Sequence, residues 1–145
     1  MHITFSRFAP AAASAVIAAF VLAAPAHAAD SQVFGNAKNT VRCSLTTEGG
    51  NTFALCTSDI GRGAQPECNP PNELVPSVAI EPEYVGTSCW NQGFDRVTRL
   101  QPLQIRSFGT ATVIPGFTGS LYVLDLAQRA LVRAGTANKV IFGAK

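Results

Sequence analysis

Four cysteines, Cys43, Cys56, Cys68 and Cys89, follow an apolar, alanine-rich leader, and this combination limits the fold more than any other feature of the chain. An even cysteine set in an exported protein reads as a disulfide framework, and two bridges dictate which segments must lie together. The leader has the secretory pattern: Arg7 near the amino terminus, an apolar stretch from Phe8 to Ala24, then Pro25 and the small-x-small site Ala26-His27-Ala28. Residues 1–28 are therefore expected to be a signal peptide that is removed. Residues 29–145 are expected to be a single secreted β-rich domain, extracellular or envelope-associated, with no transmembrane anchor after cleavage. A chain of about 117 residues buries roughly two-thirds of its unfolded surface, so bridges reinforce a core here rather than replace one.

Both histidines, His2 and His27, lie in the leader. The rest of the chain has no imidazole, which excludes a Ser-His-Asp triad, a Cys-His pair and a histidine metal site. No G-x-S-x-G elbow, S-x-x-K, P-loop or dinucleotide fingerprint is present. The sequence accordingly nominates no catalytic residue, no metal ligand and no cofactor. Glu81 and Glu83 flank Pro82 and are the one carboxylate pair that a histidine-free hydrolase would use, although a solvated strand end is the simpler reading.

Charge is uneven along the chain. Ala29 to Tyr84 holds three bases against seven acids, net −4, while Val85 to Lys145 holds seven against two, net +5. Either the halves pack together and neutralise each other, or Arg96, Arg99, Arg106, Arg129 and Arg133 form a basic face for an anionic envelope component. No basic run is contiguous, so nucleic acid is not an expected partner. Another extracellular protein is the alternative partner, and the oligomeric state is not legible.

Short β-rich runs separated by glycine and proline predict a mainly β fold, a small disulfide-stapled sandwich or barrel-like domain. Strands are expected at Asn39–Thr46, Thr52–Thr57, Leu74–Ile80, Glu83–Trp90, Leu103–Ser107 and Thr110–Ile114, with turns at Asn91–Asp95 and Pro115-Gly116. Ser120–Gly135 has two readings, one C-terminal helix or a hairpin of Leu121–Leu126 with Ala130–Ala134, and the hairpin agrees better with its surroundings.

Four cysteines allow three connectivities. If Gly49-Gly50 is a two-residue hairpin turn, Cys43 faces Cys56 in a non-hydrogen-bonded pair, close enough to bridge, and Cys68 is left for Cys89. One feature argues against this register: it puts Phe53 and Leu55 on the same side as Arg42, Ser44 and Thr46.

The leader, the cysteine count, Val41-Arg42-Cys43 and Thr87-Ser88-Cys89-Trp90-Asn91 together resemble, in layout, a group of small secreted cysteine-containing proteins of unknown function from high-GC Gram-positive bacteria. The resemblance covers most of the chain behind the leader. It implies a β-rich extracellular domain and transfers no catalytic residue.

The expected function is an exported non-catalytic binding or structural module. Candidate binding residues are Trp90, Arg96, Arg99 and Arg106, with Trp90 read either as an aromatic ligand platform or as packing on the Cys68–Cys89 bridge. The alternative is a secreted protease inhibitor that presents the proline-stiffened loop Glu67, Asn69, Pro70 and Pro71. Asp125, set within an apolar run, is expected to be ion-paired with Arg129 or Arg106.

Overall fold

The computed structural model describes residues 30–68 and 74–143. The leader, its cleavage site and Asn69, Pro70 and Pro71 lie outside the described residues.

Two sheets form a β-sandwich. The first has six strands: β1 (Asp30–Asn36), β2 (Val41–Glu48), β3 (Asn51–Ser58), β4 (Val75–Glu81), β5 (Tyr84–Trp90) and β6 (Val97–Leu100). Their order is β5-β4-β3-β2-β1-β6, and every pairing is antiparallel except β1 with β6, which is parallel. The second sheet is an antiparallel meander of β7 (Arg106–Phe108), β8 (Ala111–Pro115), β9 (Leu121–Asp125), β10 (Ala130–Ala134) and β11 (Lys139–Phe142). Two 3-10 turns, Asp59–Gly61 and Pro66–Cys68, lie between β3 and β4.

Strict alternation of buried and half-buried residues in β8, β9 and β10 aims one face of each strand inward. Val113, Leu121, Val123, Val132 and three alanines of the second sheet pack on Phe34, Val41, Leu45, Val78, Ile80, Val85 and Leu100 of the first. Residues 120–135 form the β9–β10 hairpin and not a helix. The helical reading would bury Leu126, which is 73% exposed at the hairpin tip.

The Gly49-Gly50 turn sets the β2–β3 register as expected. Both glycines have positive φ, 57° and 83°, as a primed two-residue turn requires. Cys43 therefore pairs with Cys56 and is bridged to it, with Cα atoms 3.9 Å apart. Cys68 bridges Cys89 at a Cα separation of 5.4 Å. No cysteine is free among the described residues.

Three strands escape the sequence reading: β1, β6 and β11. The expected strand Leu103–Ser107 is displaced to β7 at Arg106–Phe108, because Leu103 adopts a positive φ of 64° that breaks the extended run. Asn91–Asp95 is not a turn. It belongs to a crossing described below.

Polar ties join the sheets at both ends. At one end the Asn36 side-chain amide donates to the Gly119 carbonyl oxygen at 2.7 Å. There too the Ser58 hydroxyl donates to the Gly135 carbonyl oxygen at 2.6 Å, and Asn138 Nδ2 donates to Gln65 Oε1 at 2.9 Å. At the other end Thr52 meets Thr110, Asp125 and Gln128. The Thr110 hydroxyl donates to Asp125 Oδ2 at 2.7 Å, the Gln128 backbone amide donates to Asp125 Oδ1 at 3.0 Å, and the Gln128 side chain donates to the Thr52 carbonyl oxygen.

Asp125 is thus fully buried but not ion-paired, which corrects the sequence expectation. Its acceptors are filled by a hydroxyl and a backbone amide, so no arginine is needed. Among the described residues the one ion pair is Arg42–Asp59 at 3.0 Å, inside the first sheet's half of the chain. The two halves meet through apolar packing and hydrogen bonds, not through charge neutralisation across the interface.

Candidate binding site

β5 and β6 lie on opposite edges of the six-stranded sheet, so residues 91–96 must cross its full width. The inner face is occupied by the second sheet, and Phe94 lies with outer-face residues, so the crossing runs over the outer face. Five strand spacings of about 4.8 Å amount to roughly 24 Å. Seven Cα steps from Trp90 to Val97, at about 3.4 Å each, cover the same distance. The segment is a short strap that runs without a turn over 91–94 and bends at Asp95 and Arg96, where Arg96 has a φ of 54°. It crosses the face to which the pairing register assigns the buried Thr57, Ser77 and Ala79.

Beside the strap lies a trench made of two adjoining hollows. The first, about 230 Å³, is lined by Ser44, Thr46, Phe53, Ala54, Leu55, Glu81, Trp90 and Phe94. The second, about 550 Å³, opens at the β1 edge, where Phe94, Arg96 and Arg106 line it together with Ser31, Val33 and Asp95. Phe94 belongs to both. The linings meet on the outer face, where Ser31 pairs with Thr46 and Val33 with Ser44, while the second hollow wraps round the β1 edge to Phe34 and Thr98 on the inner face, which Arg106 approaches from the second sheet.

Trp90 sits on the aromatic side of this trench. The pleat sends Trp90 and Cys89 to opposite faces of β5, as their partners Val75 and Pro76 show, so the indole does not share the bridge's face. Its Nε1 is buried with no hydrogen-bond partner.

The structure brings Arg96 and Arg106 together from the end of the strap and from the second sheet. Neither is ion-paired among the described residues, and Asp95 is the one carboxylate lining their hollow. Arg106 Nη1 donates to the Ile105 carbonyl oxygen at 3.0 Å, which steadies the guanidinium without neutralising it.

The five-arginine face does not exist. Arg99 lies on the outer face in register with Gly35 and Arg42, outside the trench. Arg133 points outward from the second sheet, opposite Tyr122, with Nη2 donating to the Ala137 carbonyl oxygen at 3.3 Å. Arg129 occupies the β9–β10 turn with a φ of 53°. Strand alternation separates these residues, and the sequence alone could not show which sheet each would join.

Glu67, from the proline-rich candidate loop, is exposed beside the buried Cys68. Glu81 ends β4 and Glu83 sits in the following turn, both exposed. Phe53, Leu55 and Phe94 are the site residues that the sequence reading did not nominate. Their signal was the apparently misplaced pair Phe53 and Leu55 on a polar face.

A separate cleft of about 540 Å³ lies at the other end of the sandwich, walled by Ile60, Leu100, Pro102, Pro115 and Phe117, with Lys38 its one charge. No family model, curated protein or solved structure matches the chain.

Proposed function

We propose that the protein is an exported, non-catalytic binding module that holds an anionic component of the cell envelope or extracellular space in the trench beside the strap. One observation carries this reading: Arg96 and Arg106, drawn from different parts of the fold, line one hollow beside Phe94, and the single carboxylate there, Asp95, is ion-paired to neither among the described residues. A guanidinium pair beside an aromatic ring and a largely hydroxyl-bearing floor favours a polar ligand that carries negative charge. Export is supported by the leader pattern and by two disulfides, which persist in oxidising compartments. No helix among the described residues is long and apolar enough to cross a membrane.

The test is retention on anionic vesicles and on an anionic cell-wall polymer at low and high salt. Arg96→Glu with Arg106→Glu is expected to abolish retention on at least one of these surfaces. Arg99→Glu with Arg129→Glu, an equal charge change outside the trench, is expected to reduce retention only modestly. Exposed-charge binding should also fall steeply with salt, because screening acts over about 8 Å at physiological ionic strength. Equal losses from the two double variants would mean net charge and not the trench governs binding, and the proposal would fail.

A further inference from the structure

We propose that the aromatic half of the trench seats a sugar ring, so that the ligand is an anionic glycan; this rests on the anion-binding reading above. The 230 Å³ hollow is smaller than the ~300 Å³ at which drug-sized pockets begin, which suits one ring rather than a bulky group. Trp90, Phe94 and Phe53 line it with half-buried rings. Ser44, Thr46 and Glu81 add two hydroxyls and a carboxylate, and among the described residues none of these three side chains is hydrogen-bonded within the protein.

A pyranose has C–H faces that pack on aromatic rings and a rim of hydroxyls that needs donors and acceptors. The hollow offers both. Glu81 decides between ligand classes. Its carboxylate accepts hydrogen bonds from sugar hydroxyls, whereas it repels the side chains of an acidic peptide and strands an aliphatic chain against an exposed charge. From the β3–β4 region to the β1 edge spans two or three strand spacings, about 10–14 Å, the reach of a short oligosaccharide. A neutral ring at Trp90 and Phe94 would then be followed by an acidic unit at Arg96 and Arg106.

Trp90 is the sole tryptophan, so its emission reports directly on the hollow. Three probes are titrated into the disulfide-bonded protein: a hexasaccharide of alternating glucuronate and N-acetylglucosamine, an N-acetylglucosamine hexamer, and hexaglutamate. The uronate hexasaccharide is expected to bind tightest and to change the tryptophan emission. Phe94→Ala is expected to weaken it about 3- to 10-fold, the value of one aromatic contact. In about 1 M salt, where screening shortens to roughly 3 Å, hexaglutamate should be lost while the uronate sugar binds weakly with its emission change intact.

Glu81→Ala keeps the test independent of whether the Phe94 variant folds, since this exposed residue at the strand end lies outside the core. It is expected to weaken the uronate sugar and to strengthen hexaglutamate. If Glu81→Ala strengthens both probes, or if hexaglutamate binds as tightly with the same emission change, the glycan assignment fails while the anion-binding reading stands. If neither anionic probe binds at low salt, both fail.

Discussion

A buried carboxylate without a cation needs other donors, and Asp125 finds them in Thr110 and in the backbone amide of Gln128. The second of these closes the β9–β10 turn, so one side chain serves both as a core-end polar group and as a turn former. Asp125→Ala would take the acceptor from the Gln128 amide and one of two partners from the Thr110 hydroxyl, and would open a cavity at a fully buried position. The expected cost is about 2–4 kcal/mol in denaturant unfolding, against about 1 kcal/mol for Asp125→Asn, which keeps one acceptor oxygen. Equal effects of the two variants would show that shape and not hydrogen bonding matters there. The sequence marked Asp125 as needing a partner but named the wrong one. Charge alone pointed to Arg129 and Arg106, whereas the partners are the Gln128 amide three positions away and Thr110, which meets Asp125 only because β8 pairs with β9. Gly109 completes this corner. Its φ is 57°, and a Cβ there would collide with the Thr52 hydroxyl.

β5 is an outer strand of its sheet, where backbone groups offer a template to other chains. Tyr84 covers part of that edge. Its hydroxyl donates to the Thr87 carbonyl oxygen at 3.0 Å, and its ring lies so close over Gly86 that no Cβ would fit beneath it. This arrangement matches the aromatic cover of edge glycines used to pin strand register. Tyr84→Ala is expected to lower the melting temperature by a few degrees and to promote concentration-dependent association in light scattering, while Tyr84→Phe should do so less. Association that is unchanged in the alanine variant would sink the edge-cover role. At this scale the legible elements were the hairpins. Gly49-Gly50 fixed one register to the residue, and alternation in Ala130-Leu131-Val132-Arg133-Ala134 outweighed its helical alternative. β6 was illegible because its partner β1 lies more than sixty residues away in sequence, whereas β1 forms a local hairpin with β2, and its short polar lead carried no clear strand pattern. Phe53 and Leu55, which looked misplaced against Arg42, Ser44 and Thr46, were the footprint of a covering segment that local pattern could not reveal.

The whole molecule is secured by two bridges that differ in kind. Cys43–Cys56 joins strands already paired and buries both residues completely, whereas Cys68–Cys89 fastens the β3–β4 connection to β5. Both close loops of similar length, 13 and 21 residues apart, so their chain-entropy contributions are comparable at about 3 kcal/mol. Replacing Cys43 and Cys56 together with alanine also leaves a core cavity, so it is expected to destabilise more than replacing Cys68 and Cys89 with serine. Denaturant unfolding of the two double variants checks the order, and the reverse order would show that tethering the connection outweighs core packing. The charge asymmetry that was plain in the sequence resolved into only two converging arginines, since strand alternation scattered the others over both outer faces and a turn.

The crossing from Trp90 to Val97 has only six residues between its end strands for one whole sheet width. Its length acts as a ruler that permits one sheet width, and it converts the count of strands beneath it into a condition on covalent distance. Removing one residue from 91–96 would cut the reach by about 3.4 Å, so the bend at Asp95 and Arg96 has to open before β6 can keep its pairing with β1. An added residue only bows the segment away from the surface. So short a crossing also sets an order of assembly. The local hairpins β2–β3 and β4–β5 can close in any sequence, but β6 finds its parallel partner only after all the strands between the edges are side by side. The longest-range pairing of the sheet is thus left until last, and the trench comes into being with it.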